Sequence, residues 1–267
     1  MKALGQGGFG ATFLARDQAL PGEPSCVLKQ LRPSKVTPQV VQMAREFFET
    51  EAFTLRKIGN HPQVPRLLDY FEDHRQFYLV QEYIHGITLQ QEVKRNGVFS
   101  EAGVKQFLSD ILPLLQYIHE RKVIHRDIKP ANIIRRAQDG RLVLIDFGAV
   151  NNQVSQLANQ SEQTTLTAYA IGTPGFAPAE QMALRPVFAS DIYATGVTCI
   201  YLLSGKSPKD LDYSPTTGKM LWEQLVKTSD HLTIVLRKML EVSVRHRYQS
   251  AEEVLRALEL EPHKEAA

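Results

Sequence analysis

Between Val123 and Gly148 the chain twice cuts an apolar run with a charged cluster, and this alternation limits its possible folds more than any other feature. The first cluster, in VIHRDIKPANII, sets His125, Arg126, Asp127, Lys129 and Asn132 between the pairs Val123-Ile124 and Ile133-Ile134. The second, LVLIDFG, ends a strongly apolar strand pattern on Asp146 and follows it with Gly148, where the chain can turn sharply. Asp139-Gly140 between the clusters is a hairpin signal. A solvated turn would not need a second acid on the other strand of that hairpin, whereas a metal–phosphate site would. Asp127 can take a proton from a hydroxyl, Lys129 can neutralise a phosphoryl group, and Asn132 can offer a metal its amide oxygen. A carboxylate at the end of a buried strand, as at Asp146, can present a further metal ligand. The apolar flanks are expected to anchor the loop as short strands, with Pro130 stiffening it.

Patterns change on either side of this hairpin. GATFLARD and SCVLKQL, separated by LPGEP, read as strands, as do PRLLDYFED and QFYLVQEY; between the pairs lies one helical pattern, Val40 to Ile58. Beyond residue 100 the helical patterns dominate: VKQFLSDILPLLQYIHER, where Pro113 is expected to kink the helix, ASDIYATGVTCIYLLSG, HLTIVLRKML, and SAEEVLRAL with a capping box from Ser250 to Glu253. The expectation is an α+β chain in two lobes joined near EYIHG. Residues 1–84 form a small β-rich lobe with one helix, and residues 85–267 a larger helical one. At 267 residues the chain is long enough for two cores.

Two further features bear on phosphate chemistry. GQGGFG fits G-x-G-x-x-G, with Gly5, Gly7 and Gly10 at the glycine positions. The strand-like ATFLARD follows it instead of a helix, which leaves a hairpin over phosphates or a plain glycine turn. Lys29 sits inside an apolar strand, and Glu51 falls where the helical stripe Ala44, Phe47/Phe48, Leu55 and Ile58 calls for an apolar residue. Either the two pair, or Glu51 reaches the surface past the stripe. The net charge of +2 gives no electrostatic case for a nucleic-acid or anionic-membrane partner. No apolar run reaches about 18 residues, so no membrane span is expected. MKALGQGG lacks the apolar centre of a signal peptide, and Cys26 and Cys199 have no C-x-x-C spacing. These features read as a soluble cytoplasmic protein with two reduced, buried thiols, the alternative being a single disulfide between two distant segments.

Together the motifs resemble the eukaryotic-type serine/threonine protein kinases of bacteria, over nearly the whole chain. HRDIKPAN is similar to the catalytic loop H-R-D-L-K-x-x-N, DFG is literal, and GTPGFAPAE, DIYATG and a late arginine follow in the family's order. The resemblance implies a bilobal protein-kinase-like fold. It implies transfer of the γ-phosphoryl of ATP, with Mg2+ or Mn2+, to Ser/Thr hydroxyls of protein substrates, autophosphorylation included; the alternative is a pseudokinase scaffold on the same fold. On matching positions Asp127 would be the catalytic base and Lys129 the γ-phosphate neutraliser. Lys29 would hold the α/β-phosphates and pair with Glu51, and Asn132 and Asp146 would hold the metal. Gly5, Gly7 and Gly10 would cover the phosphates. Glu82 and Ile84 would bond adenine through backbone groups, with Gln81 gating the pocket and Thr12, Val27 and Ile134 sandwiching the ring. Leu55, Leu67, His125 and Phe147 would form an apolar column. Glu180 would pair with Arg247, Asp191 would cap the catalytic loop, and Thr173 would contact it.

Some positions depart from the family pattern. Four residues precede Gly5, and at about 3.3 Å per residue they make barely half a normal strand. The first strand is therefore expected to be truncated. Pro178-Ala179-Glu180 stands for A-P-E. Arg126 resembles the arginine that binds an activation-loop phosphate in regulated members, yet Ala149 to Gly172 contains no Lys or Arg, and Phe47 stands one turn before Glu51. One cation without helpers is a weak phosphate site, so dependence on loop phosphorylation at Thr164, Thr165 and Thr167 is expected to be modest. Replacing all three with alanine should leave most phosphotransfer activity; a loss on the order of a hundredfold would reject this expectation.

Overall fold

The structure is a computed structural model and describes residues 2–7, 10–31, 38–74, 76–150 and 172–259. Thr164, Thr165 and Thr167 lie outside the described residues. The first part holds an antiparallel sheet of β1 (Lys2–Gly7), β2 (Gly10–Arg16), β3 (Ser25–Leu31), β4 (Leu67–Asp73) and β5 (Gln76–Glu82), in the order β1-β2-β3-β5-β4. β1 is six residues long because its pairing with β2 continues through the glycine run, from Lys2 opposite Leu14 to Gly7 opposite Gly10. A Cβ at Gly10 would stand 1.9 Å from the Gln30 carbonyl oxygen, so β2 can approach β3 there only as glycine. Thr12 opposes Lys29 and Val27 opposes Gln81. With a side-chain period of two, these four residues share one face of the sheet.

Helix α1 (Pro38–Ile58) contacts β4 and β5, and its Ala52, Leu55 and Ile58 are buried in one core with Leu79. The connection after β5 leads to a small sheet of β6 (Gly86–Thr88), β7 (Ile133–Arg136) and β8 (Leu142–Leu144). The Asp139-Gly140 hairpin forms as expected, with Gly140 at φ +74°. β6 and α2 (Leu89–Asn96) carry too little apolar periodicity to be read from sequence. The turn into α2 is set by Thr88, whose hydroxyl accepts from the Gln91 N–H while the Gln91 side chain accepts from the Thr88 N–H.

Among the described residues the remaining α-helices are α3 (Glu101–Glu120), α4 (Ala179–Met182), α5 (Phe188–Ser204), α6 (Asp230–Met239) and α7 (Ala251–Glu259). α3 runs unbroken across Pro113 and buries Phe107, Ile111, Leu114 and Leu115. Nearly every residue of α5 is buried, which explains why its sequence is apolar on all sides. Among the described residues no helix is long and apolar enough to cross a membrane.

Two local expectations are corrected. Val123 and Ile124 are not in a strand, because the next backbone N–H groups, of His125 and Arg126, bond to Asp191 instead of to a neighbouring strand. The capping box at α7 is split: Ser250 Oγ accepts from the Glu253 N–H, but Glu253 reaches back to the Gln249 N–H, one residue early.

The second part is closed by Arg247, which is 2% exposed. Its guanidinium donates to Glu180 Oε1 at 2.7 Å and to the carbonyl oxygens of Ala189 at 2.9 Å and Glu241 at 2.9 Å. Arg247→Ala strands the Glu180 carboxylate and the carbonyls together. We expect it to lower the unfolding free energy by about 3–5 kcal/mol, read by urea denaturation; a loss below about 1 kcal/mol would mean that the pair holds nothing together.

Candidate active site

The segment around Asp127 is bent by backbone that its residues do not favour. Arg126 and Asp146 both sit at φ +68° without being glycine. Such conformations cost on the order of 1–3 kcal/mol each and persist only where the surroundings impose them. At Arg126 the imposing group is Asp191, on α5 and completely buried. Its Oδ2 accepts from the His125 N–H at 2.9 Å and from His119 Nε2 at 2.8 Å, and its Oδ1 accepts from the Arg126 N–H at 2.9 Å. Burial alone would raise the Asp191 carboxyl, but the hydrogen bonds it accepts from His119 and from the backbone N–H groups hold it below the usual carboxylate range. Burial pulls the Arg126 guanidinium down to about 10.

His125 is locked from both sides. Its Nδ1 accepts from the Asp127 N–H at 3.2 Å, so Nε2 carries the ring proton and donates to the Ile145 carbonyl at 3.1 Å. That is the neutral imidazole, and burial pushes its pKa below 6.5. The Asp127 carboxylate is held at both oxygens. Oδ1 accepts from Thr173 N–H at 3.1 Å and Thr173 Oγ1 at 2.7 Å; Oδ2 accepts from Lys129 Nζ at 2.7 Å and Asn132 Nδ2 at 2.8 Å. Lys129 also donates to Thr173 Oγ1, and Asn132 Nδ2 to the Asp127 carbonyl.

Lys29 joins three elements. Its ammonium lies 2.5 Å from Glu51 Oε1 on α1 and 2.8 Å from Asp146 Oδ1 just beyond β8. Glu51 is therefore paired and buried rather than snorkelling to the surface. Burial moves the Glu51 carboxyl up against the opposing pull of Lys29, while the same ammonium holds Asp146 below its ordinary value. Phe147 is completely buried and meets the His125 ring edge-on, centroids 4.7 Å apart. Leu55 lies in the same core as Phe147, and Leu67 packs half-buried against it.

The residues expected at the nucleotide come from both parts. Gly5 and Gly7 lie on β1 and Gly10 opens β2. Val27 and Gln81 are buried on the sheet face that carries Thr12 and Lys29. The Glu82 N–H donates to the Arg66 carbonyl at 2.9 Å, which leaves its carbonyl as the backbone group it could offer a ligand. Ile84 is buried in the connection after β5, and Ile134 pairs with Thr88 on β6. Asn132 and Asp146 fit a magnesium ion chemically. With its amide nitrogen committed to Asp127, Asn132 has its oxygen to give, and Asp146 supplies a carboxylate. Mg2+ is commonly held by one or two protein oxygen ligands plus substrate phosphates. Among the described residues no three His, Cys, Asp or Glu side chains gather into an all-protein metal cage.

A model of the protein kinase domain family matches residues 1–258. The chain belongs to the protein kinase family. The kinase domain is 65% identical over 264 residues to serine/threonine-protein kinase B of Synechocystis sp., covering 98% of this chain and 46% of that protein. It is 45% identical over 262 residues to serine/threonine-protein kinase PknA of Nostoc sp., covering 97% of this chain and 46% of that protein. The chain thus spans about half the length of the curated relatives it matches. Among solved structures, the apo form of PpkA-294 aligns at TM-score 0.75 and 23% identity, over 97% of this chain and 94% of that one. The Mycobacterium tuberculosis PknI kinase domain aligns at 0.70 and 23%, over 97% and 93%. These two likenesses are of fold, and the fold is the bilobal α+β arrangement expected from the motifs.

Sequence reasoning missed His119 and Gln181. His119 belongs to α3, where its spacing matches the buried stripe, and only α5 shows it a carboxylate. Gln181 follows Glu180 with no motif to mark it, yet it is buried and donates to the Arg126 carbonyl.

The neutral His125 makes stability depend on pH. An unfolded histidine takes up a proton near pH 6.5 that the folded one refuses, so its folded pKa is the lower of the two. The stability this group contributes is complete above pH 6.5 and is lost as pH falls through the window below it, at a slope of at most about 1.4 kcal/mol per pH unit. Urea unfolding of the wild type and of His125→Phe between about pH 8 and pH 5 should show the wild type losing more stability on acidification. Parallel curves would contradict a proton-refusing His125.

Proposed function

We propose that this kinase domain catalyses ATP-dependent phosphorylation of serine and threonine hydroxyls in protein substrates. The observation that carries the reading is the arrangement of Asp127, whose carboxylate is oriented by Thr173, Lys129 and Asn132 on a backbone held by Asp191. In this reading Asp127 accepts the proton of the incoming hydroxyl as its oxygen bonds to the γ-phosphorus and the bond to the ADP oxygen breaks. Lys129, already beside Asp127, lies against the transferring group and offsets its charge. Lys29, steadied by Glu51, holds the α/β-phosphates as a point charge. Gly5, Gly7 and Gly10 let backbone approach the phosphates, while Thr12, Val27, Gln81, Ile134 and the backbone of Glu82 and Ile84 surround the adenine. Mg2+ or Mn2+, held through oxygens of Asn132 and Asp146, would neutralise phosphate charge when bound. The cyanobacterial relatives named as serine/threonine kinases support the choice of acceptor.

The Lys29–Glu51 pair, with Asp127, Asn132 and Asp146 all present, favours an active enzyme over a pseudokinase scaffold. A reducing cytoplasmic setting belongs to the same reading and is supported by two buried free cysteines, Cys26 and Cys199.

The test is phosphate transfer from Mg-ATP to casein or myelin basic protein, beside Asp127→Asn. Transfer should fall by about 10²–10⁴-fold in the variant, while ATP still raises its melting temperature. Nucleotide binding without transfer in the wild type would make the domain a scaffold.

A further inference from the structure

Gln181 is a polar side chain only 1% exposed, on α4, and none of the phosphate-transfer roles above involves it. Its Nε2 donates to the Arg126 carbonyl oxygen at 2.6 Å. That oxygen belongs to the peptide group joining Arg126 to Asp127. The N–H of the same group donates to His125 Nδ1 at 3.2 Å. Both edges of one peptide plane, the plane that immediately precedes Asp127, are therefore gripped by side chains.

The plane needs such a grip. Arg126 stands at φ +68°, a region that disfavours residues with a Cβ. Asp191 restrains its N–H, on the far side of the Cα, and cannot by itself set the carbonyl that follows. A third segment closes over the bond. At Gly172, φ +83°, a Cβ would stand 2.5 Å from the Arg126 oxygen and 2.6 Å from Gln181 Nε2, so only glycine passes there. The next residue, Thr173, donates its N–H and hydroxyl to Asp127. The Gln181 amide thus sits where the chain segments on either side of Asp127 converge.

We propose that Gln181 is a positioning residue for phosphate transfer: its amide hydrogen bond to the Arg126 carbonyl sets the Arg126–Asp127 peptide plane and thereby the direction of the Asp127 carboxylate. The inference rests on the kinase reading. It requires Gln181 as a donor and not as bulk, and isosteric variants separate the two. Q181M keeps the volume without the donor. Q181E keeps the shape, cannot donate when ionised, and donates again through its O–H when protonated. Burial raises the pKa of an introduced carboxyl and brings that transition within reach of an assay.

Steady-state kinetics with Mg-ATP and casein would be run on wild type, Q181M and Q181E, with melting temperatures alongside. We expect Q181M to leave the KM for ATP unchanged while kcat falls about a hundredfold, the cost of a displaced catalytic group. The kcat of Q181E relative to wild type should climb as pH is lowered, a trend Q181M lacks. A wild-type kcat in Q181M, or a Q181E ratio that ignores pH, overturns the proposal; if Q181M does not fold, the Q181E profile decides. A wild type that transfers no phosphate defeats the kinase reading instead. The positioning inference is then read from amide hydrogen exchange at His125, Arg126 and Asp127, which Q181M or Q181E should accelerate and which, unchanged, refutes it.

Discussion

A single buried carboxylate underlies the site. Asp191 sits in the first turn of the fold's most enclosed helix and gives its lone pairs to two backbone N–H groups of the loop that carries Asp127. An ionised carboxylate so placed is expensive unless every partner is present, and His119 supplies the remaining one. The consequence reaches outward. The loop is held in left-handed backbone at Arg126, His125 is turned so that one ring nitrogen supports Asp127 and the other the chain before Asp146, and Phe147 rests on that ring. Each of these contacts would relax if the carboxylate were removed.

Lys29 does for the two parts of the molecule what Asp191 does for the loop. One ammonium between Glu51 and Asp146 ties β3 to α1 within the first part and to the end of β8 in the second. Because Glu51 is buried, the pair is conditional: a rotation of α1 that withdrew Glu51 would leave an unpaired charge in an apolar stripe. The same lysine is therefore a gauge of whether α1 is in place.

Much of this was legible in the chain. The glycine run, the strand lysine, the misplaced glutamate, the two charged clusters and the Asp139-Gly140 turn each break a local pattern, and a residue that breaks a pattern is visible without a structure. Glu51 is the clearest case, since a carboxylate in an apolar stripe must either find a partner or reach the surface, and the structure gives it Lys29. The unread parts kept to their patterns or had none. Val123 and Ile124 look like a strand because they are β-branched, yet the loop N–H groups that follow them go to a side chain rather than a sheet. His119 fits its helical stripe as well as any apolar residue would. Ser250 and Glu253 have capping-box spacing, but the reciprocal bond slipped by one residue, a choice made by local geometry and not by composition.

By itself, the sequence determined most of the elements, the α+β division and which side chains stand out as candidates for chemistry, because period, turn residues and charge placement are local and each residue bears its own signal. Only the tertiary structure decided how the chemistry is aimed. The Lys29 and Asp146 partners lie 117 residues apart, and Gln181 meets the Arg126 carbonyl 55 residues away. Such contacts are satisfied only when the cores close and buried polar groups must find whichever donor or acceptor the packing brings to them.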